Sequence, residues 1–194
     1  MTPPGSRKPI IVSWQGTART SLEQVRLFVR DGRLRASGRL VVASESPFSA
    51  SFEFSASRSG DVGRGLLRTT AADTERQISV RRTEDGIWLI DRGEGVERSE
   101  FEGATDVDIA GSVTFTALPI RRLGLHRKPG EAELPVLYVS TPDLAVTIVR
   151  QTYRTVEITD KGAVINYKDA HRDANIVVDT DGLPLSYPDV ADRL

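Results

Sequence analysis

Apolar residues recur at every second position through most of this chain, which is the period of a half-buried β-strand. The clearest case is residues 22–42, where the alternation stops at Asp31-Gly32 and then resumes. Because an Asp-Gly pair tolerates the positive φ that tight turns need, this segment predicts a β-hairpin. Further alternating or short apolar runs lie at 48–54, 78–80, 87–90, 136–139, 145–149, 156–158, 163–167, 176–178 and 183–187. Together the runs predict about a dozen strands joined by short connections.

The predicted fold is mainly β: a large antiparallel sheet curled into a spiral roll or open barrel, with at most one or two short helices. Such a sheet is expected to curl because its strands twist and its edges need cover. Helical signal is confined to residues 111–126, where Pro119 is a suitable first residue for a short helix. The glycine-rich run from Gly60 to Gly65 is interpreted as a loop. Residues 1–9 are expected to form a flexible arm, and residues 10–194 a single β-roll domain.

Composition argues against several classes of function. The 194 residues include no cysteine, which excludes disulfides, a thiol nucleophile and thiolate metal sites. The two histidines show no metal-ligand spacing, so no metal site is predicted, and His126 is expected at the solvated surface. The net charge of −1 argues against nucleic-acid binding, although 22 arginines stand against 4 lysines. No apolar run is long enough for stable membrane insertion and no secretion signal is visible, so we expect a cytoplasmic protein.

One segment, Asp106 to Leu123, concentrates polar groups beside apolar sequence. Asp106 and Asp108 are two residues apart and would share one face of a strand. Arg121 and Arg122 are adjacent, so they would point in different directions on a strand or on a helix. One arginine could clamp a phosphate or sugar-acid group, while the other could pair with Asp106 or Asp108. The alternative is a salt-bridge network that holds the segment on the sheet.

Amphipathic side chains elsewhere are candidates for lining a binding cavity. Trp14, Trp88, Tyr138 and Tyr153 combine apolar rings with polar tips. Gln151 would share a strand face with Tyr153 and offer an amide there. The alternative for each ring is an ordinary core position.

Several motifs distributed over the chain point to one family. They are the run from Ala117 to Leu123 preceded by Asp106-Val107-Asp108, the strand entry Asp85-Gly86-Ile87-Trp88, the Gln151-Thr152-Tyr153 pair, Asp179-Thr180-Asp181-Gly182-Leu183 followed by Tyr187-Pro188, and Trp14 with Gly16. On these motifs the chain resembles the bacterial glycolipid-binding family, formerly a domain of unknown function. The resemblance implies a spiral β-roll akin to lipoprotein carriers, with an amphiphile-binding cavity. The chain departs from the family pattern at Val113 and Thr116, where proline and asparagine are expected.

The main hypothesis is a non-catalytic protein that holds a glycolipid or similar lipid-like amphiphile in the concave face of the roll, without a cofactor. The predicted ligand-binding residues are Arg121, Arg122, Trp14, Trp88, Tyr138, Gln151, Tyr153, Asp106 and Asp108. One alternative is a hydrolase or isomerase of a small hydrophobic substrate, acting through Asp106, Asp108 or a histidine. Another is a structural protein without a ligand, whose arginine segment forms a homodimer contact.

Overall fold

The computed structural model describes residues 9–30, 33–57 and 59–194. Fifteen strands belong to one sheet: β1 Ile10–Gly16, β2 Ser21–Arg30, β3 Arg33–Val42, β4 Phe48–Ala56, β5 Val62–Ala71, β6 Glu75–Arg82, β7 Trp88–Asp91, β8 Val96–Ser99, β9 Asp106–Ile109, β10 Glu131–Val139, β11 Val146–Thr159, β12 Gly162–Lys168, β13 Asp173–Asp179, β14 Pro184–Tyr187 and β15 Ala191–Arg193. Within these ranges, one α-helix, α1, spans Val113–Leu123, and a single 3₁₀ turn spans Phe101–Gly103. The predicted mainly-β fold with one or two short helices is therefore confirmed.

The sheet curls on itself without closing into a barrel. Its strand order is β8-β7-β6-β5-β4-β3-β2-β1-β15-β14-β13-β12-β11-β10-β9. Among the strands described, only the β9–β10 pair is parallel. The two edge strands, β8 and β9, follow one another in the chain, so residues 100–105 lead from one edge of the sheet to the other. The Val62 N–H donates to the Thr105 carbonyl over 3.0 Å. The connection thus lies against the start of β5.

Helix α1 lies against the inner face of the roll. Eight of its residues, Val113 to Ile120, are buried. The Phe115 ring packs against the rings of Phe52 and Phe54 on β4, with centroids 5.1 and 4.8 Å apart. Gly124 ends the helix with φ 70°, a left-handed conformation that glycine adopts without steric cost. The interior of the roll is consequently packed by a helix.

The strand pattern explains which face is buried. In β3 and β4 buried and exposed residues alternate along the whole strand, as the period of two requires. The inner residues form two neighbouring apolar clusters, one around Trp14, Phe52 and Trp88 and the other around Tyr153 and Ile165. Helix α1 contributes to both clusters and so joins the two halves of the sheet.

Three predictions about strands and the helix are wrong. Strand β5 begins at Val62, inside the run interpreted as a loop, because a Cβ on Gly65 would lie 2.9 Å from Val80 and glycine permits this close packing. Residues 145–149 and 156–158, predicted as separate strands, largely fall within β11, whose inner positions include polar Gln151. Pro119 lies inside α1 and does not start it.

His126 is 4% exposed and not at the solvated surface, because Gly182 leaves room for its ring. The turn predicted at Asp31-Gly32 and residues 1–8 of the predicted arm lie outside the described residues.

Candidate functional site

An apolar groove opens at one end of the roll, between the C-terminal half of α1 and the inner faces of β2 and β3. Its apolar lining includes Ile10, Leu27, Val29, Leu34, Leu118 and Leu183, and Arg121 lies beside them. The groove has a volume of about 60 Å³. A second hollow of about 160 Å³ shares Val29, Leu34, Leu118 and Arg121 with the first and adds Arg122. We call the two connected hollows the end groove.

The two adjacent arginines diverge at this end of the helix. The Arg121 guanidinium donates to the Asp181 carbonyl in the β13–β14 turn. Arg122 donates to Asp106 on β9, with Nη2 and Oδ2 2.6 Å apart. Asp106 is fully buried, so this ion pair ties the last turn of α1 to the edge of the sheet. Positive side chains here also complement the negative end of the helix dipole.

The other end of α1 is held by a buried carboxylate that sequence reasoning missed. Glu23 on β2 accepts hydrogen bonds from the Ser112 and Thr114 hydroxyls and from the Val113 and Thr114 N–H groups, at 2.5 to 3.3 Å. These N–H groups are ones that the first turn of a helix leaves without a partner. Burial raises the pKa of Glu23, while the hydrogen bonds oppose that shift. The sequence did carry a signal for this residue, because Glu23, Val25 and Leu27 alternate along the strand and so share its inward face.

Four of the predicted site residues meet in a second place, deeper in the roll. The Gln151 amide donates to Asp108 over 2.7 Å, and the Tyr153 hydroxyl donates to the Gln151 carbonyl oxygen over 2.8 Å. Tyr138 pairs directly with Asp108 between β10 and β9. Desolvation raises the pKa of Asp108 to about 7, and the Gln151 hydrogen bond opposes the rise. Near pH 7 the protonated and ionised forms of Asp108 are therefore both populated, in a buried chain of polar groups.

The two tryptophans lie in the core. Trp14 is 1% exposed and donates from its indole nitrogen to the Pro184 carbonyl over 2.8 Å. Trp88 is fully buried and donates over 2.8 Å to the Ala104 carbonyl, in the connection between the two sheet edges. Neither indole is among the side chains that line the end groove. Contact of these two rings with a ligand stays a prediction.

The predicted site residues thus separate into three groups. Arg121 and Arg122 line the end groove, and Asp106 holds Arg122 in place. Asp108, Gln151 and Tyr153 form the buried polar chain, and the half-buried Tyr138 is the register neighbour of Asp108. The two tryptophans lie in the core. The apolar part of the groove, Ile10, Leu34 and Leu183 among others, was not singled out from the sequence.

Comparison with protein families gives one assignment. A family model described as "Putative glycolipid-binding" matches residues 11–193. The chain belongs to this family. A comparison with curated proteins found no match.

Two solved structures share the fold. One is the crystal structure of a DUF1089 family protein from Pseudomonas aeruginosa, with 23% identity, a TM-score of 0.70, and coverage of 89% of this chain and 92% of that chain. The other is a β-barrel-like protein of a domain of unknown function, DUF1849, from Brucella abortus, with 9% identity, a TM-score of 0.52, and coverage of 96% and 94%. At these identities the likeness concerns the fold alone. Within the described residues, no helix is long and apolar enough to cross a bilayer.

Proposed function

We propose that this protein binds the lipid-like part of a glycolipid or similar amphiphile in the end groove, without catalysis. The observation that carries the proposal is an apolar groove with a guanidinium at its side, in a member of a family described as glycolipid-binding. Leu27, Val29 and Leu34 offer the apolar wall, and Arg121 offers a planar cation for a polar or anionic head.

The size of the groove limits what it holds. Typical pockets for small molecules enclose roughly 300–1,000 Å³, whereas the two hollows measure about 60 and 160 Å³. With α1 in place, the roll therefore accommodates only a few methylene groups next to a head group. Each buried methylene contributes about 0.8 kcal/mol before the cost of association. Affinity should consequently rise with chain length only over the first few carbons and then level off.

A titration with monomeric n-butyl, n-hexyl and n-octyl β-glucoside, followed by ¹H–¹⁵N chemical shifts, tests the proposal. We expect saturable shifts around Leu34, Leu118 and Leu183, tighter for hexyl than for butyl and nearly equal for hexyl and octyl. The blocking variant is Leu34→Gln, which places an amide in the apolar wall. The matched control is Val41→Gln on the same strand, because Val41 is 50% exposed on the opposite face of β3.

The expected result is weaker binding in Leu34→Gln and unchanged binding in Val41→Gln. Absence of saturable shifts, or equal loss in both variants, would refute binding in the end groove.

A second candidate function is acid–base chemistry at Asp108, favoured by its pKa of about 7 beside Gln151 and Tyr153. Against it, Asp108 is only 9% exposed and is not among the residues that line the end groove. A screen with esterase and glycosidase substrates tests this candidate. Activity that disappears in Asp108→Asn, with the fold intact, would favour it over simple binding.

A further inference from the structure

The outer face of β2 to β5 carries a regular array of arginines. Opposite the buried inner residues, the exposed positions include Arg26, Arg35, Arg39, Arg64 and Arg68. Register places a serine between the arginines of alternate strands: Arg39–Ser51–Arg68 form one row and Arg35–Ser55–Arg64 another. The row Ser37–Glu53–Leu66 lies between these two. We call these five arginines, with the serines between them, the arginine face.

Long arginine side chains stand around short serine side chains on this face, and depressions lie between them. One depression of about 690 Å³ is lined by Arg26, Arg35 and Arg64 around Ser37 and Ser55. A second of about 410 Å³ is lined by Arg39 and Arg68 around Ser51, and both share Arg26, Ser37 and Glu53. The two depressions therefore form one trough, several times larger than the end groove on the inner side of the same strands.

Charge on this face is strongly one-sided. The trough sets five guanidiniums against one carboxylate, Glu53, in a chain whose net charge is −1. Within the described part of the chain, no ion pair is formed by Arg26, Arg35, Arg39 or Arg64. Arg64 even lies directly opposite Arg81 on β6, and like charges opposite one another destabilise a sheet. A face with this many neighbouring guanidiniums has a positive potential, which is complementary to an anionic surface.

Exposed apolar side chains on the same face favour a lipid surface as the anionic partner. Ile11, opposite Arg26, is 66% exposed, and Leu22 and Val41, opposite one another, are 46% and 50% exposed. Arginines mixed with exposed aliphatic groups are typical of surfaces that lie on an anionic bilayer. Sites for single-stranded nucleic acids typically combine a basic groove with several aromatic stacking platforms. Phe28 is the one aromatic side chain that points outward among the described residues of β2 to β5.

We propose that the arginine face docks this protein reversibly on an anionic phospholipid surface. The same two strands, β2 and β3, present the arginine face outside and the wall of the end groove inside. The two sites therefore lie on opposite faces of the same two strands. The inference goes beyond amphiphile binding and does not depend on it, since the groove is tested with monomeric glucosides and docking with vesicles.

Flotation with phosphatidylcholine vesicles, with and without phosphatidylglycerol, tests the docking. We expect binding to the anionic vesicles alone, and release as salt is raised. The test variant is Arg26→Gln/Arg39→Gln/Arg68→Gln. The control, Arg127→Gln/Arg150→Gln/Arg154→Gln, makes the same change in net charge at exposed sites outside the arginine face.

The test variant should bind roughly a hundredfold more weakly, at about 1 kcal/mol per arginine, while the control variant should bind like the original protein. Glu53→Gln removes the one carboxylate of the trough and should tighten binding several-fold. Equal losses in both triple variants, or no effect of Glu53→Gln, would overturn the proposal. So would binding to duplex DNA that depends on the arginine face while vesicle binding does not.

Discussion

The buried carboxyl of Asp108 gives the sharpest prediction, because its ionisation is coupled to folding. Burial raises its pKa from an ordinary 3.8 to about 7. Between those two pH values the folded protein keeps a proton that the unfolded chain has released. The stability that the neutral carboxyl provides is therefore complete below about pH 4 and is lost as the pH rises to about 7. Over about three pH units, at about 1.4 kcal/mol each, the loss is on the order of 4 kcal/mol.

Asp108→Asn isolates this contribution. An asparagine at this position still accepts the hydrogen bond from Gln151, but it does not ionise. Urea unfolding at intervals from pH 4 to pH 8 gives the free energy of unfolding of both proteins. We expect the difference, variant minus original, to increase by about 4 kcal/mol between pH 4 and pH 7.

The control is Asp160→Asn, which makes the same chemical change at an exposed position in the turn between β11 and β12. It should leave the slope between pH 5 and pH 7 unchanged. Parallel curves for Asp108→Asn and the original protein would show that Asp108 ionises alike in both states, which would refute the reasoning.

Three further single substitutions and one double substitution test buried contacts at and near α1. Glu23→Ala leaves four buried donors without an acceptor, at about 1–3 kcal/mol each. Urea unfolding should therefore show that the free energy of unfolding falls by several kcal/mol, and a fall below 1 kcal/mol would contradict the role of Glu23 at the start of α1. Arg122→Ala leaves Asp106 buried without its ion-pair partner and should lower the free energy of unfolding by about 3–5 kcal/mol. Adding Asp106→Leu should restore much of that stability in the same assay, and no restoration would argue against the ion pair. Gly182→Ala, at φ 76° with a Cβ 3.0 Å from His126, should lower the melting temperature in calorimetry, and an unchanged value would show that the turn relaxes.

The sheet could be predicted because its pattern is local. Alternation of apolar and polar residues marks most strands, and the inner and outer faces of β3 and β4 follow from it directly. The pattern failed where the inner face is not apolar. Gln151 interrupts the apolar phase of β11, and Gly65 leaves a gap in that of β5, so these strands were split or missed. A search for alternating hydrophobicity detects only apolar inner positions. In the sheet an inner position can also hold a polar side chain that is hydrogen-bonded, such as Gln151, or a glycine beside a bulky neighbour, such as Gly65.

The site was less predictable because it depends on contacts distant in sequence. The pairing of Arg122 with an aspartate was among the alternatives that the sequence offered, and the structure selects Asp106. The end groove combines residues from β1, β2, β3, α1 and the β13–β14 turn, and no local pattern brings them together. Glu23 carried a signal, a charged residue in the inward phase, but its partners at the start of α1 are 89 to 91 positions away.

The position of α1 limits the free space inside the roll. Glu23 holds the first turn of the helix, Arg122 and Asp106 hold its last turn, and Phe115 packs on the β4 aromatics between them. Because these contacts lie inside the roll, moving the helix aside would leave the Glu23 and Asp106 carboxylates without their partners. It would also expose apolar surface. A long acyl chain therefore does not enter the interior of the roll. If the end groove binds an amphiphile, it holds only the region where head and chain meet.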